Sequence, residues 1–373
     1  MISQAGKTSR SERAVTGAAP LLATVAAIVA AALSVAASSA PATAAEAPAI
    51  SPDRCAANKA AGPITFLTSF AYAASAGILD VLAAKKLGYF DALCLDVTIQ
   101  PGSTNTQLVS AGTAQIAGVG GASDVMVAID NGAQIEGIAT YGNVGAIELI
   151  TMADSGIKEL KDFVGKTVGY KGAVAPQFSA MFLDNGVDAN AINWVSVGYD
   201  PIILPNGNVQ GLGAYKSNEP RGLEAMGYKI TEWDPDTYGI HSTFNTQIVN
   251  TDWAKKHPTA VEDFLRASFH AFDWISASGA NLDEALAYAA SLSDAGYDIA
   301  KSKVRFGVEQ ELIAKTQPAD TGVGWQDAKQ WQPEADALVR FKLVKTAPDI
   351  GAAQNDSYVN AIYKGKTLIW PAP

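Results

Sequence analysis

The sequence predicts an α/β protein of two lobes, each built on a mostly parallel sheet, and three observations predict it. Short β-branched runs alternate with helical stretches from residue 64 onward. The alternation restarts near residue 149 and gives way after about residue 250 to long amphipathic helices. No flexible spacer separates the two alternating stretches, so crossing strands are expected to join the lobes. The 373 residues, 48% hydrophobic and 17% charged, suffice to bury a core in each.

Residues 64–69 read as a strand, followed by a helix with Ile78 and Leu82 at helical spacing and an end at Gly88. Residues 95–99 form the next strand, 104–111 a helix, and 116–119 a strand running into Gly120-Gly121. Residues 124–129 are helical and 135–139 extended. In the second stretch, 149–152 and 168–170 are strands around a helix near 158–163. A helix over 176–185 opens at a proline, and strands follow at 194–197, 211–215 and 230–233, with a short helix at 221–226. After 247–250, residues 259–278 carry Val261, Phe264, Leu265, Ser268, Phe272 and Ile275 on one face, behind a Thr259-x-x-Glu262 capping box. A helix over 282–293 and two or three more complete the chain.

Residues 1–45 read as a signal peptide: Lys7, Arg10 and Arg13 precede an uncharged run over 21–37 and an Ala42-Thr43-Ala44 cleavage pattern. A retained anchor is the alternative, although the run is short for a span. Residues 46–62 form a polar leader, and Cys55 lacks the small-residue stretch of a lipoprotein cysteine. In an exported chain the two cysteines, Cys55 and Cys94, are expected to pair, with two separate buried thiols as the alternative. Closing that loop would stabilise the fold by roughly 3–4 kcal/mol in the chain-entropy model.

Lys plus Arg number 27 against 37 for Asp plus Glu, a balance that speaks against nucleic acid as a partner. Three histidines and two cysteines leave little material for a metal centre, and no cofactor is expected. Ligands of open parallel sheets sit beyond the C-terminal strand ends, so the loop after each strand is the place to look. These loops offer Phe70, Tyr72 and Ser75; Ser103 and Thr104; Gly121, Ala122 and Ser123; Tyr141 and Asn143. From the second lobe come Lys171, Ala173, Val174 and Gln177; Tyr199 and Asp200; Asn218 and Glu219, with Phe244 at the return to the first lobe. Hydroxyls, amides and aromatics without clustered histidines or acids are the inventory of a binding site. Tyr72, Tyr141 and Tyr199 are expected to stack on the ligand. Ala73-Ala-Ser75-Ala-Gly77 looks like a nucleophile elbow without its first glycine, which keeps an exported Ser-dependent hydrolase as the alternative function. Gly118-x-Gly120-x-x-Ser123 falls short of a dinucleotide fingerprint.

Leu87-Gly-Tyr-Phe90 before Leu95-Asp-Val-Thr-Ile99 resembles the opening of bacterial solute-binding proteins of the NMT1/THI5-like group, relatives of sulfonate and nitrate binders. The run from Val109 to Val119, Val197-Gly-Tyr-Asp200-Pro, and Tyr215-Lys-Ser-Asn218-Glu219-Pro220 carry the likeness on, as do Asp236-Thr-Tyr-Gly239 and His257-Pro258. The resemblance covers about residues 63–280. It implies a type II periplasmic-binding-protein fold, with 63–147 plus 245–373 as one lobe and 148–244 as the other. It also implies a monomeric ABC-importer component that hands a small-molecule ligand to permease and ATPase subunits. Enzymatic relatives carry a cysteine-rich motif that this chain lacks.

Two features bear on the ligand. The helix opening at Pro176 suits an anion such as a sulfonate. Glu219, a full charge at the position where relatives place a polar contact, suits an N-heterocycle such as a pyrimidine and is expected to dominate. Exported protein is expected to begin at Ala45 or Glu46; N-terminal sequencing that returns Met1 would contradict the leader assignment.

Overall fold

In the computed structural model, which describes residues 50–373, ten strands form two five-stranded sheets; the leader-peptide assignment over 1–45 lies outside the described residues. The first sheet has β1 (Pro63–Thr68), β2 (Asp96–Pro101), β3 (Ile116–Val119), β4 (Ile135–Gly142) and β10 (Phe244–Asn250) in the order β2-β1-β3-β10-β4. The second has β5 (Ile147–Met152), β6 (Thr167–Tyr170), β7 (Asn193–Ser196), β8 (Gly211–Tyr215) and β9 (Ile230–Trp233) in the order β7-β6-β8-β5-β9. β1 pairs in parallel with β2 and β3, and β6 with β7 and β8. β10 and β5 run antiparallel to both of their neighbours. The chain passes to the second sheet through residues 143–146 and returns through 234–243, so these two antiparallel strands are the ones entered from the crossings.

β10 is wholly buried although it carries Asn245, Thr246, Gln247 and Asn250. Each amide has a donor bond to make: Asn250 Nδ2 donates to Val109 O at 2.9 Å and Gln247 Nε2 to the Tyr141 hydroxyl at 3.2 Å. Polar content hides this strand's first half from a hydrophobicity reading, which sees only 247–250. The ring of Phe244 lies against Gly142, where a Cβ would stand 1.7 Å from a ring carbon.

The helix Pro258–Ala277 buries Val261, Phe264, Leu265, Ser268, Phe272 and Ile275 as its period predicts. Phe264 meets Phe66 and Phe90, each at 5.3 Å between ring centroids. The expected capping box does not form. Pro258 takes the first helical position, so His257 becomes the N-cap and Thr259 lies inside the first turn. In the second lobe Phe163 packs edge-on to Phe182 and Trp233.

Residues 52–60 of the leader are a helix, capped by Ser51, and docked. Cys55 is joined to Cys94 by a disulfide. Arg54 donates from Nε to Asp263 at 2.8 Å, and Asn58 donates to Leu93 O at 2.8 Å. Among the described residues no helix is long and apolar enough to cross a membrane.

Asp80 is fully buried at the start of the helix Leu79–Lys86. It accepts from the Gly77 amide at 2.7 Å and from the Tyr141 hydroxyl. Burial outweighs these donors and raises its pKa from 3.8 to about 7. The folded chain therefore holds this proton where the unfolded chain has released it. That contribution is complete below about pH 4 and is lost as pH rises through 7, a span corresponding to roughly 4 kcal/mol. Burial likewise raises Glu148 to about 7. Urea unfolding is expected to show stability falling from pH 4 to 7, and Asp80→Asn to flatten that slope; an unchanged slope contradicts the assignment.

Candidate functional site

The strand ends of the two sheets face each other across a cavity of about 380 Å³. From the first sheet, the loop after β1 supplies Ser69, Phe70, Ala73, Ser75 and Ile78; Gly120 follows β3, and Asn245 lies on β10. From the second come Ile147, Tyr170, Lys171, Ala173, Tyr199, Tyr215, Asn218 and Glu219, with Ala175 and Phe178 from the first turn of the helix Pro176–Asp184. The helix Ile299–Thr316 closes one side with Arg305 and Glu309.

Of the residues expected from sequence, Phe70, Ser75, Lys171, Ala173, Tyr199, Asn218 and Glu219 line this cavity together. Phe70 is 55% and Tyr199 69% exposed, and their rings, one from each lobe, stand 6.1 Å apart. Other expected residues lie elsewhere, each for a local reason. Tyr141 is 3% exposed, because its side chain points to the helix side of the sheet, where it packs on Phe269 and Phe272 and donates to Asp80. Phe244 is buried on Gly142, and Tyr72 packs against the core of the first lobe. Gly121 and Ala122 are pressed against Thr243, whose Oγ1 accepts the Ala122 amide at 2.8 Å. The Ser123 amide donates to Glu334 at 2.9 Å. Ser103 and Thr104 are exposed, with Thr104 as the N-cap of the helix Asn105–Ser110. Asn143 donates to Trp325 O. Asp200 accepts the Ile202 amide and so caps its own turn. Val174 and Gln177 are half-buried beside the cavity wall without lining it.

Two charges differ from the expectation. Glu219 is 3% exposed and occupied: one oxygen meets Lys171 Nζ, the other accepts the Tyr215 amide at 2.8 Å. Its full charge is therefore matched within its own lobe. Lys171 Nζ also lies 6.0 Å from the Tyr199 ring centre.

Arg305, Glu309 and Asn245 also line the cavity, and the loop-by-loop reading misses them. Glu309 Oε2 accepts from Ser75 Oγ at 2.7 Å, Ala76 N at 2.9 Å and Asn245 Nδ2 at 3.2 Å, while Oε1 accepts from Ser217 Oγ at 3.0 Å. Burial raises its pKa, opposed by these donors and by the Arg305 charge. Burial also pushes the Tyr215 phenol up, with Glu309 adding to the effect. The signal for Glu309 is its phase: Phe306, Glu309 and Ile313 are the buried positions of their helix, spaced three and four apart.

Ser75 donates to a carboxylate, not to a histidine. His241 bonds Asp236 on the surface, His257 lies against Trp253, and His270 stacks on Trp370. Both cysteines are in the disulfide. Among the described residues no cluster of His, Cys, Asp and Glu could hold a metal.

The sequence profile described as "NMT1/THI5 like" matches residues 75–280. In fold, the chain is similar to the periplasmic sulfonate-binding protein SsuA from Methylobacillus flagellatus KT, at 14% identity over 80% of this chain and 92% of that one, TM-score 0.61. It is also similar to the periplasmic aliphatic sulphonate binding protein SsuA from Escherichia coli, at 13% identity over 78% and 96%, TM-score 0.60. The desulfurization enzyme DSZB aligns at 12% identity over 80% and 98%, TM-score 0.51. No curated protein matches the chain.

Glu309→Ala would leave donors from both lobes without an acceptor, at roughly 1–3 kcal/mol each. It is expected to lower unfolding stability by several kcal/mol, and Ser217→Ala by about 1 kcal/mol. Urea titration measures both; a neutral Glu309→Ala would contradict the network.

Proposed function

The chain belongs to the NMT1/THI5-like family, and on that premise we propose that it is an extracytoplasmic solute-binding protein of an ABC importer. It captures a small organic ligand between two lobes, works as a monomer, and delivers to permease and ATPase subunits. The signal peptide over residues 1–45 exports it. Residues 63–147 with 245–373 move as one lobe against 148–244.

The observation that carries this reading is a cavity of about 380 Å³ lined by both lobes, which are joined through two crossings. Phe70 and Tyr199 clasp the flat or apolar part of the ligand. Asn218, Tyr215 and Asn245 hold its heteroatoms. Closing shifts the population toward the state with both lobes in contact with ligand, by differential affinity. The named fold relatives support the reading, since two of them are sulfonate-binding periplasmic proteins. The site's chemistry supports binding over turnover: Ser75 is bonded to a carboxylate and the cavity lining includes no histidine or cysteine.

Mass spectrometry of protein purified without denaturation is expected to find a small organic molecule, and small-angle scattering to show compaction when it is restored. Hydrolysis of an ester panel, lost in Ser75→Ala, would favour an enzyme instead. Phe70→Ala and Tyr199→Ala are each expected to weaken binding of the recovered compound by about 0.5–1.5 kcal/mol, or twofold to tenfold, in calorimetry. Affinities within twofold of wild type for both would remove the aromatic clasp.

A further inference from the structure

We propose a second binding site, on the first lobe and outside the cleft: the pocket beside the C-terminal hairpin binds a neutral sugar, one pyranose ring laid on the Trp325 indole with its hydroxyls on Asp320 and Asn360. The pocket lies between the loop 320–325, the helix Ser357–Ala361 and the hairpin of Tyr363–Lys364 with Thr367–Leu368. Its volume is about 210 Å³. That is below the roughly 300–1,000 Å³ of drug-sized sites, so it has room for a single ring with its substituents. None of its lining residues borders the cavity between the lobes. It also lies beyond the 75–280 stretch that matches the family profile.

Bonds within the lobe fix the walls. Gly324 O accepts the Thr140 amide at 3.1 Å, which ties the loop to the edge strand of the first sheet. Gln317 Nε2 donates to Thr321 O at 2.7 Å, and the Tyr363 hydroxyl donates to Val323 O at 3.1 Å. Gly322 lies against the Tyr363 ring, where a Cβ would stand 2.1 Å from a ring carbon. Tyr363 is thus committed as wall, whereas the side chains of Asp320 and Asn360 have no hydrogen-bond partner among the described residues.

A pyranose presents an apolar face of C–H groups and a rim of hydroxyls, each a donor and an acceptor. The half-buried indole of Trp325 takes the face. Asp320 can accept from two neighbouring hydroxyls, and Asn360 both accepts and donates. Other classes fit less well. An anion would meet the Asp320 carboxylate. A cation drawn to Asp320 is opposed by Lys364 and Lys366, which flank Gly365. That turn lies against the same wall, since a Cβ on Gly365 would stand 3.8 Å from Asp320 O. A wholly apolar molecule would strip water from Asp320 and Asn360 without replacing their hydrogen bonds.

The test is saturation-transfer NMR titration of the mature chain with methyl glucoside, methyl mannoside, methyl galactoside and N-acetylglucosamine, and with choline and acetate as charged comparators. At least one pyranoside is expected to bind saturably, in the millimolar range usual for a one-ring site, and more tightly than either comparator. Asp320→Ala and Trp325→Ala are each expected to weaken that binding tenfold or more, and Phe70→Ala in the cleft to leave it within twofold. Unfolding midpoints check that the variants fold; Asp320 is exposed, so its variant decides the matter should Trp325→Ala prove unstable. The proposal is overturned if no pyranoside binds, or if binding stays within twofold of wild type in Asp320→Ala. It also falls if Phe70→Ala abolishes binding, which would put the sugar in the cleft, or if choline or acetate binds more tightly than every pyranoside.

Discussion

Glu309 is a carboxylate bonded to hydroxyls and amides alone, placed where four parts of the chain meet. Its donors come from the loop after β1, from β10 and from the loop after β8. Neutral donors satisfy a buried charge only when several converge, so the carboxylate and the geometry around it require one another. Asn245 shows the demand on the backbone: it sits at φ +53, a left-handed conformation that asparagine tolerates better than most residues. Glu334 does the same one residue on the other side of Phe244, accepting the Thr243 amide and hydroxyl at 2.6 Å each. Two helices of the C-terminal region thus hold both flanks of the point where the chain re-enters the first lobe.

The strands and helices were legible because parallel sheets covered on both faces write continuous apolar runs, and the helices between them write a period near 3.6. Cavity loops were legible for the same reason: parallel strands all point their C-terminal ends one way, so Phe70, Lys171, Tyr199 and Asn218 could be named before their distances were known. Which face a strand residue takes was not legible. Tyr141 lies on a strand whose eight residues are all buried, so alternation gives no clue, and its ring went to the helix side. Glu309 and Glu334 escaped notice because a buried carboxylate reads in sequence as one more solvated acid. Only their phase against Phe306, Ile313, Trp331 and Leu338 marks them as interior.

Charges read from a sequence count singly, whereas in the fold they count in sets. Lys171 and Glu219 stand 48 positions apart, and each alone suggests a ligand of opposite sign. Folding places β6 and the start of the helix Glu219–Ala225 side by side, so the two cancel and become part of one wall. A buried pair of this kind adds little net stability, since desolvation offsets attraction, but it fixes the geometry of the wall. Arg305, whose charge acts on the buried Glu309, belongs to a helix more than 80 residues further along the chain. No local spacing rule could connect it to the loops it faces.

Phe70 and Tyr199 close the argument about closure. Two large aromatics exposed side by side form an apolar patch that a ligand can cover. Neither ring belongs to the core of its own lobe; each follows a strand end, and they approach one another only because the lobes do. A contact at 6.1 Å between two half-wet rings is weak, so it resists separation little. A flat ligand inserted between them would exchange one aromatic contact for two and bury both faces. In the proposed role, the residues that leave the empty cleft easy to open would make the filled cleft favourable to close, which is the differential affinity a two-lobed binder needs.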